Sequence, residues 1–147
     1  MPNSFIADQK LFQALEQRSV SMLCSKGQIL FKQAEVPIGL YLLKTGKASL
    51  IMKTEKGKEV VHLTVRPGSV LGLPAIVSNE PYTLSAMAHH GSEVDFVARK
   101  DFEELMQEEP CLFPKVLEIL AAEVRSARFV WSGVMGKLRS RASRVSA

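Results

Sequence analysis

The sequence predicts a mainly β domain, an antiparallel barrel or jelly roll, with one or two short helices before it and a long C-terminal helix after it. Three observations carry that prediction. Between Gln28 and Val97, short runs of strand-forming residues alternate with turn residues at regular spacing. Before Lys26-Gly27 and again after Arg99, apolar residues recur at helical spacing instead. The 147 residues suffice for one domain with a real core and fall short of two ordinary ones.

At the N-terminal end, Leu11, Phe12, Leu15, Val20 and Leu23 are spaced loosely as on a helix, with Pro2-Asn3-Ser4 and Asp8 as start signals. The β runs are 29–31, 39–44, 48–53, 60–65, 83–88 and 93–97, and their separators are rich in Gly, Pro, Asn and Ser, as turns require. Alternation in the fourth run sets Val61, Leu63 and Val65 on one face and Val60, His62, Thr64 and Arg66 on the other. A short helix over 101–106 ends at Glu109-Pro110, and Pro114 suits the first turn of the next.

That last helix has the clearest period in the chain. Phe113, Leu117, Leu120, Val124, Ala127, Trp131, Val134 and Leu138 alternate steps of four and three, an a/d seam. We expect its first two turns to pack on the barrel and the seam as a whole to form a homodimer, because little of a compact domain is left to cover Trp131. Gly133 and Gly136 should fray the helix, each costing about 1 kcal/mol against Ala.

Composition narrows the function. Hydrophobic residues are 46% and charged residues 23%, ordinary values for a globular chain. The net charge of +4 is local: Lys137, Arg139, Arg141 and Arg144 lie in a basic tail over 137–147, and the rest of the chain is balanced. Such a tail can touch phosphates but reads as a flexible, solvated end, so nucleic acid is only weakly indicated. Cys24 and Cys111 form neither a disulfide framework nor a metal cluster. With no membrane-length apolar run and no signal-like N-terminus, we expect a cytoplasmic chain with no membrane partner. No G-x-S-x-G, P-loop, carboxylate pair or metal triad is present, so catalytic residues, metal and cofactor are all expected to be absent.

The stretch 66–86 stands apart: a Pro67-Gly68 turn and a small-residue segment from Gly72 join two β runs, a layout that can gather backbone N–H groups around an anion. Together with Lys26-Gly27-Gln28-Ile29-Leu30-Phe31, Gly39-Leu40-Tyr41-Leu42-Leu43, Gly46, Gly57, Pro81-Tyr82-Thr83, Ala86, Glu93-Val94 and Phe102, it resembles the cyclic-nucleotide-binding domain superfamily over roughly residues 10 to 130. That superfamily includes the sensor halves of the catabolite activator protein and of the fumarate and nitrate reductase regulators. The resemblance implies an antiparallel double-stranded β-helix over 1–136, including a dimerisation helix at about 113–136.

The resemblance also implies a ligand site, a phosphate-binding cassette beginning at Gly72. Its candidate residues here are Gly72, Leu73, Ala75, Tyr82, Thr83 and Ser85. Leu73 stands where the family has the glutamate that meets the ribose, and Tyr82 where it has the arginine that meets the phosphate; Pro74 removes a further N–H. Each lost charge-assisted contact is worth roughly 1.5 to 3 kcal/mol. The expected function is therefore a non-enzymatic regulatory domain binding a non-classical small molecule or none, with a cyclic nucleotide disfavoured. The alternatives are a cyclic-nucleotide-responsive transcription regulator of which this chain is a piece, and nucleic-acid contact through the tail. Arg66 and the His89-His90 pair read as surface residues rather than as replacements for the missing cation, and a lone His62 recommends neither a metal site nor haem.

Overall fold

A computed structural model describes residues 5–125. The chain opens on helix α1 (Gln9–Glu16), runs through eight strands and a second helix, and closes on two more helices. Asp8 starts α1 by accepting from the N–H groups of Lys10 and Leu11 at 2.9 and 3.4 Å. Leu11 and Leu15, one helical turn apart, are its buried residues.

The strands are β1 (Val20–Cys24), β2 (Gln28–Phe31), β3 (Gly39–Thr45), β4 (Ala48–Lys53), β5 (Glu59–Val65), β6 (Val70–Leu71), β7 (Ser85–Ala88) and β8 (Ser92–Ala98). They form two antiparallel sheets of four, ordered β1-β8-β3-β6 and β2-β7-β4-β5. Phe31, Leu50, Val65, Ala86 and Val94 pack in one buried cluster with residues of both sheets. A second cluster joins Leu40 and Leu42 of β3 to the helices through Leu11, Leu15, Phe102 and Leu105.

Three expectations change. Val20 and Leu23 lie on β1, not on a helix; β1 is an edge strand and both side chains are exposed, so their helix-like spacing marks no buried face. The run expected over 83–88 begins as a strand only at Ser85, because Pro81 and the bend after it keep the preceding residues out of the ladder. Two elements had no sequence signal: β6, two residues long, and helix α2 (Leu73–Ser78), six residues long.

Helix α3 (Arg99–Glu108) packs on β3 and β8. A short 3-10 turn (Pro110–Leu112) leads to helix α4, described over 113–125. Val116 and Ile119 are its buried residues. Phe113, Leu117 and Val124 of the seam are 42, 49 and 51% exposed. The first two turns of the seam therefore do not lie on the barrel: the adjacent stripe does, and Leu120 alone of the described seam packs partly against the core. Ala127, Trp131, Val134, Leu138, the glycines at 133 and 136 and the basic tail lie outside the described residues.

Candidate functional site

The cassette is held at its entrance by backbone. Phe5 and Ala7 pair with Val70 and Gly68 across the Pro67-Gly68 turn, the Val70 N–H donating to the Phe5 carbonyl at 2.8 Å. β6 then places Gly72 against β3. Gly72 takes φ 90°, a left-handed conformation open to glycine, and an added Cβ would sit 3.1 Å from the Tyr82 ring. Helix α2 begins there, with Pro74 in its first turn, and ends at Asn79, also left-handed.

Tyr82 is the centre of the returning loop. Its backbone is locked to the segment after β2: the Tyr82 N–H donates to the Glu35 carbonyl at 3.0 Å, and its own carbonyl accepts from Ala34 at 2.7 Å. The ring stacks on Phe31 with centroids 4.0 Å apart, and Phe31 and Tyr41 continue the aromatic run to Phe96. The phenol donates to the Gly39 carbonyl at 2.6 Å in a buried setting. Burial, chiefly, raises the Tyr82 phenol above its ordinary range and pushes that of Tyr41 up to about 12. Both rings are therefore neutral packing elements at any physiological pH.

Beside Tyr82 lies a cavity of about 630 Å³. Phe31, Leu50, Met52, Val61, Leu63 and Leu71 supply much of its wall. Gly72, Pro74 and Ala75 of the cassette, with Tyr82 and Thr83, line one side, and Leu120, Glu123 and Val124 of α4 line another. Among the described lining residues there is no Arg, Lys or His, and there are two glutamates, Glu80 and Glu123. Glu123 leaves its Oε1 buried without a hydrogen-bond partner among the described residues, and burial pushes its carboxyl up to about 8.

The six candidate residues divide. Gly72, Ala75, Tyr82 and Thr83 come together on the cavity. Leu73 does not line it: its side chain is fully buried in the second cluster with Leu40, Leu42 and Ile76. Ser85 does not line it either, and its Oγ accepts from the Gln33 N–H at 2.8 Å. Glu123 was missed, since a lone acid on an amphipathic helix reads as a solvated residue. The only sequence signal was its place one residue before the seam position Val124. The histidines lie elsewhere: His62 contacts Glu59 at 2.8 Å, and His89 shares a hydrogen bond of 2.7 Å with Ser49. Among the described residues no cluster of His, Cys, Asp and Glu could hold a metal, and no helix is long and apolar enough to cross a membrane.

The profile of the cyclic nucleotide-binding domain matches residues 22–109, from β1 to the end of α3. The chain belongs to the cyclic nucleotide-binding domain family. Among curated relatives, it is 26% identical to the cyclic AMP receptor protein of Thermus thermophilus over 105 residues, 71% of this chain and 49% of that one. It is also 25% identical to patatin-like phospholipase domain-containing protein 7 of Rattus norvegicus over 130 residues, 84% of this chain and 10% of that one. The chain thus spans between a tenth and a half of the length of these relatives. Among solved structures, Thermus thermophilus catabolite activator protein shares the fold with a TM-score of 0.66 at 23% identity, over 90% of this chain and 60% of that one. The sensor domain of the transcriptional regulator DNR from Pseudomonas aeruginosa does so with a TM-score of 0.64 at 20% identity.

Proposed function

We propose that this chain is a non-enzymatic regulatory domain of the cyclic nucleotide-binding fold whose cassette no longer takes a cyclic nucleotide, and whose cavity binds a different small molecule or none. One observation carries the reading: the described cavity wall holds two carboxyl groups and no cation. A cyclic phosphate brought there would lose water and gain no opposite charge, which is unfavourable in a low-dielectric site. Tyr82, set by the resemblance at the position of the family's arginine, commits its only side-chain donor to Gly39.

Output would pass through α4. Leu120, Glu123 and Val124 line the cavity, while Phe113, Leu117 and Val124 leave an apolar stripe on the outside. An occupant touching the first set would bias how a second copy packs on the other, an arrangement of two linked equilibria. We therefore read the stripe as the start of a homodimer seam. A second reading, a regulator of transcription, draws on the likeness to the Thermus receptor protein. Salt-sensitive DNA binding lost on deleting 137–147 would support it. The primary reading is tested by following the thermal midpoint with cyclic AMP and cyclic GMP, which must rise if either binds the native state. No rise is expected, and a saturable rise at micromolar nucleotide would overturn it.

A further inference from the structure

The wall of the cavity is apolar from β4, β5 and the aromatic pair Phe31 and Tyr82, and one residue of it, Glu123, carries a carboxyl oxygen without a partner among the described residues. The Glu123 Oε1 is buried, accepts from nothing among the described residues and belongs to a side chain that lines the cavity. Buried polar groups in native proteins are almost always satisfied, so a carboxyl with an open oxygen on a residue of the cavity wall marks a place for a partner. An unpaired carboxyl is costly to bury and is relieved most by a cation that brings its own hydrogen-bond donors. The aromatic residues Phe5, Phe31 and Tyr82 in the same lining are compatible with an organic cation. The volume of about 630 Å³ lies within the range of drug-sized pockets.

We propose that the cavity binds an apolar organic cation, a hydrophobic body carrying one protonated amine, with the amine paired to the Glu123 carboxylate. This rests on the reading above that the cassette excludes cyclic nucleotides, and it supplies the ligand class which that reading leaves open.

The surroundings of Glu123 fix the pH behaviour. β4 and β5 present Leu50, Met52, Val60, Val61 and Leu63 to the cavity, none of them titratable. The loop after α2 adds Tyr82, neutral and bonded to Gly39, and Glu80, which is exposed. Burial alone holds the Glu123 carboxyl at about 8, so the empty site is largely neutral at lower pH. An ammonium that pairs with the ionised form must expel that proton. Its apparent affinity then rises by about tenfold per pH unit until the carboxyl is ionised in the free protein, and levels off above.

Calorimetric titration of the full chain with three probes of matched size tests this: 1-naphthylmethylamine, 1-naphthalenemethanol and 1-naphthoate. The amine should bind at least about tenfold more tightly than the alcohol at pH near 8, and the carboxylate should not bind. Glu123→Gln should reduce the amine to the affinity of the alcohol, remove the pH dependence and leave the alcohol unchanged; its thermal midpoint reports that it is folded. Equal affinity for amine and alcohol, no amine binding, or an amine preference that survives Glu123→Gln would each overturn the proposal. Cyclic AMP titrated alongside separates the two levels. Its binding would overturn the reading of the cassette, whereas silence from both amine and nucleotide overturns only the ligand class.

Discussion

The Tyr82 hydroxyl donates to the Gly39 carbonyl at 2.6 Å, tying the returning end of the cassette to the first residue of β3. Gly39 has no room for a side chain, since an added Cβ would stand 2.4 Å from the Val97 carbonyl. The carbonyl therefore faces the phenol where β3 approaches β8 closely. Removing the hydroxyl in Tyr82→Phe keeps the stack on Phe31 and leaves a buried acceptor open, a cost of about 1 to 3 kcal/mol. Urea unfolding should show the midpoint falling at an unchanged slope. A change of only a few tenths of a kcal/mol would mean that water satisfies Gly39 instead.

Leu73, which the family resemblance sets in the place of a glutamate, belongs to the core beside Leu40 and Leu42. Leu73→Glu should therefore destabilise the fold by about 3 kcal/mol or more, as an unpaired buried carboxylate does. It should not create nucleotide binding. A stable Leu73→Glu protein that binds cyclic AMP would show that position 73 can turn toward the cavity.

The two stripes of α4 predict opposite outcomes for one chemical change. Val116 is fully buried, and Leu117 beside it is 49% exposed. Val116→Glu should unfold the domain or lower its midpoint steeply, whereas Leu117→Glu should leave folding intact and shift a dimer to monomer in light scattering. If Leu117→Glu is dimeric and as stable as the parent, the stripe is not the seam.

Glu123 makes stability depend on pH in a predictable sense. Its folded value of about 8 lies above the ordinary 4.5, so the native state holds a proton that the unfolded chain releases. The group's contribution is complete below about 4.5 and is lost as pH rises toward about 8, at up to about 1.4 kcal/mol per pH unit. Unfolding midpoints of the parent and Glu123→Gln should thus be similar near pH 4 and diverge steadily toward pH 8, the variant being more stable there. Parallel pH curves would place the carboxyl in water.

Regular turns and alternation made most strands readable, because each β run is bounded by residues that cannot continue it. β1 escaped since Val20 and Leu23 are exposed on an edge strand and their spacing also fits a helix. β6 and α2 escaped because two and six residues are too short for any period to register. The seam was legible as a pattern, but periodicity carries no information on which stripe faces the body; Val116 and Ile119 do, and they lie one residue away from Leu117 and Leu120. In the cassette, residue types suggested that two charged side chains are replaced. They could not show that Leu73 turns into the core, that Ser85 serves Gln33, or that Glu123 comes from a distant helix to line the same space.

Calorimetry of the chain with cyclic AMP and cyclic GMP addresses the proposal that the family fold here surrounds a cavity whose described wall holds no cation. No saturable heat is expected for either nucleotide through the micromolar range. A stoichiometric isotherm with a Kd of about 10 μM or tighter would contradict it, since that affinity, about −7 kcal/mol, requires a partner for the phosphate that the described wall does not provide.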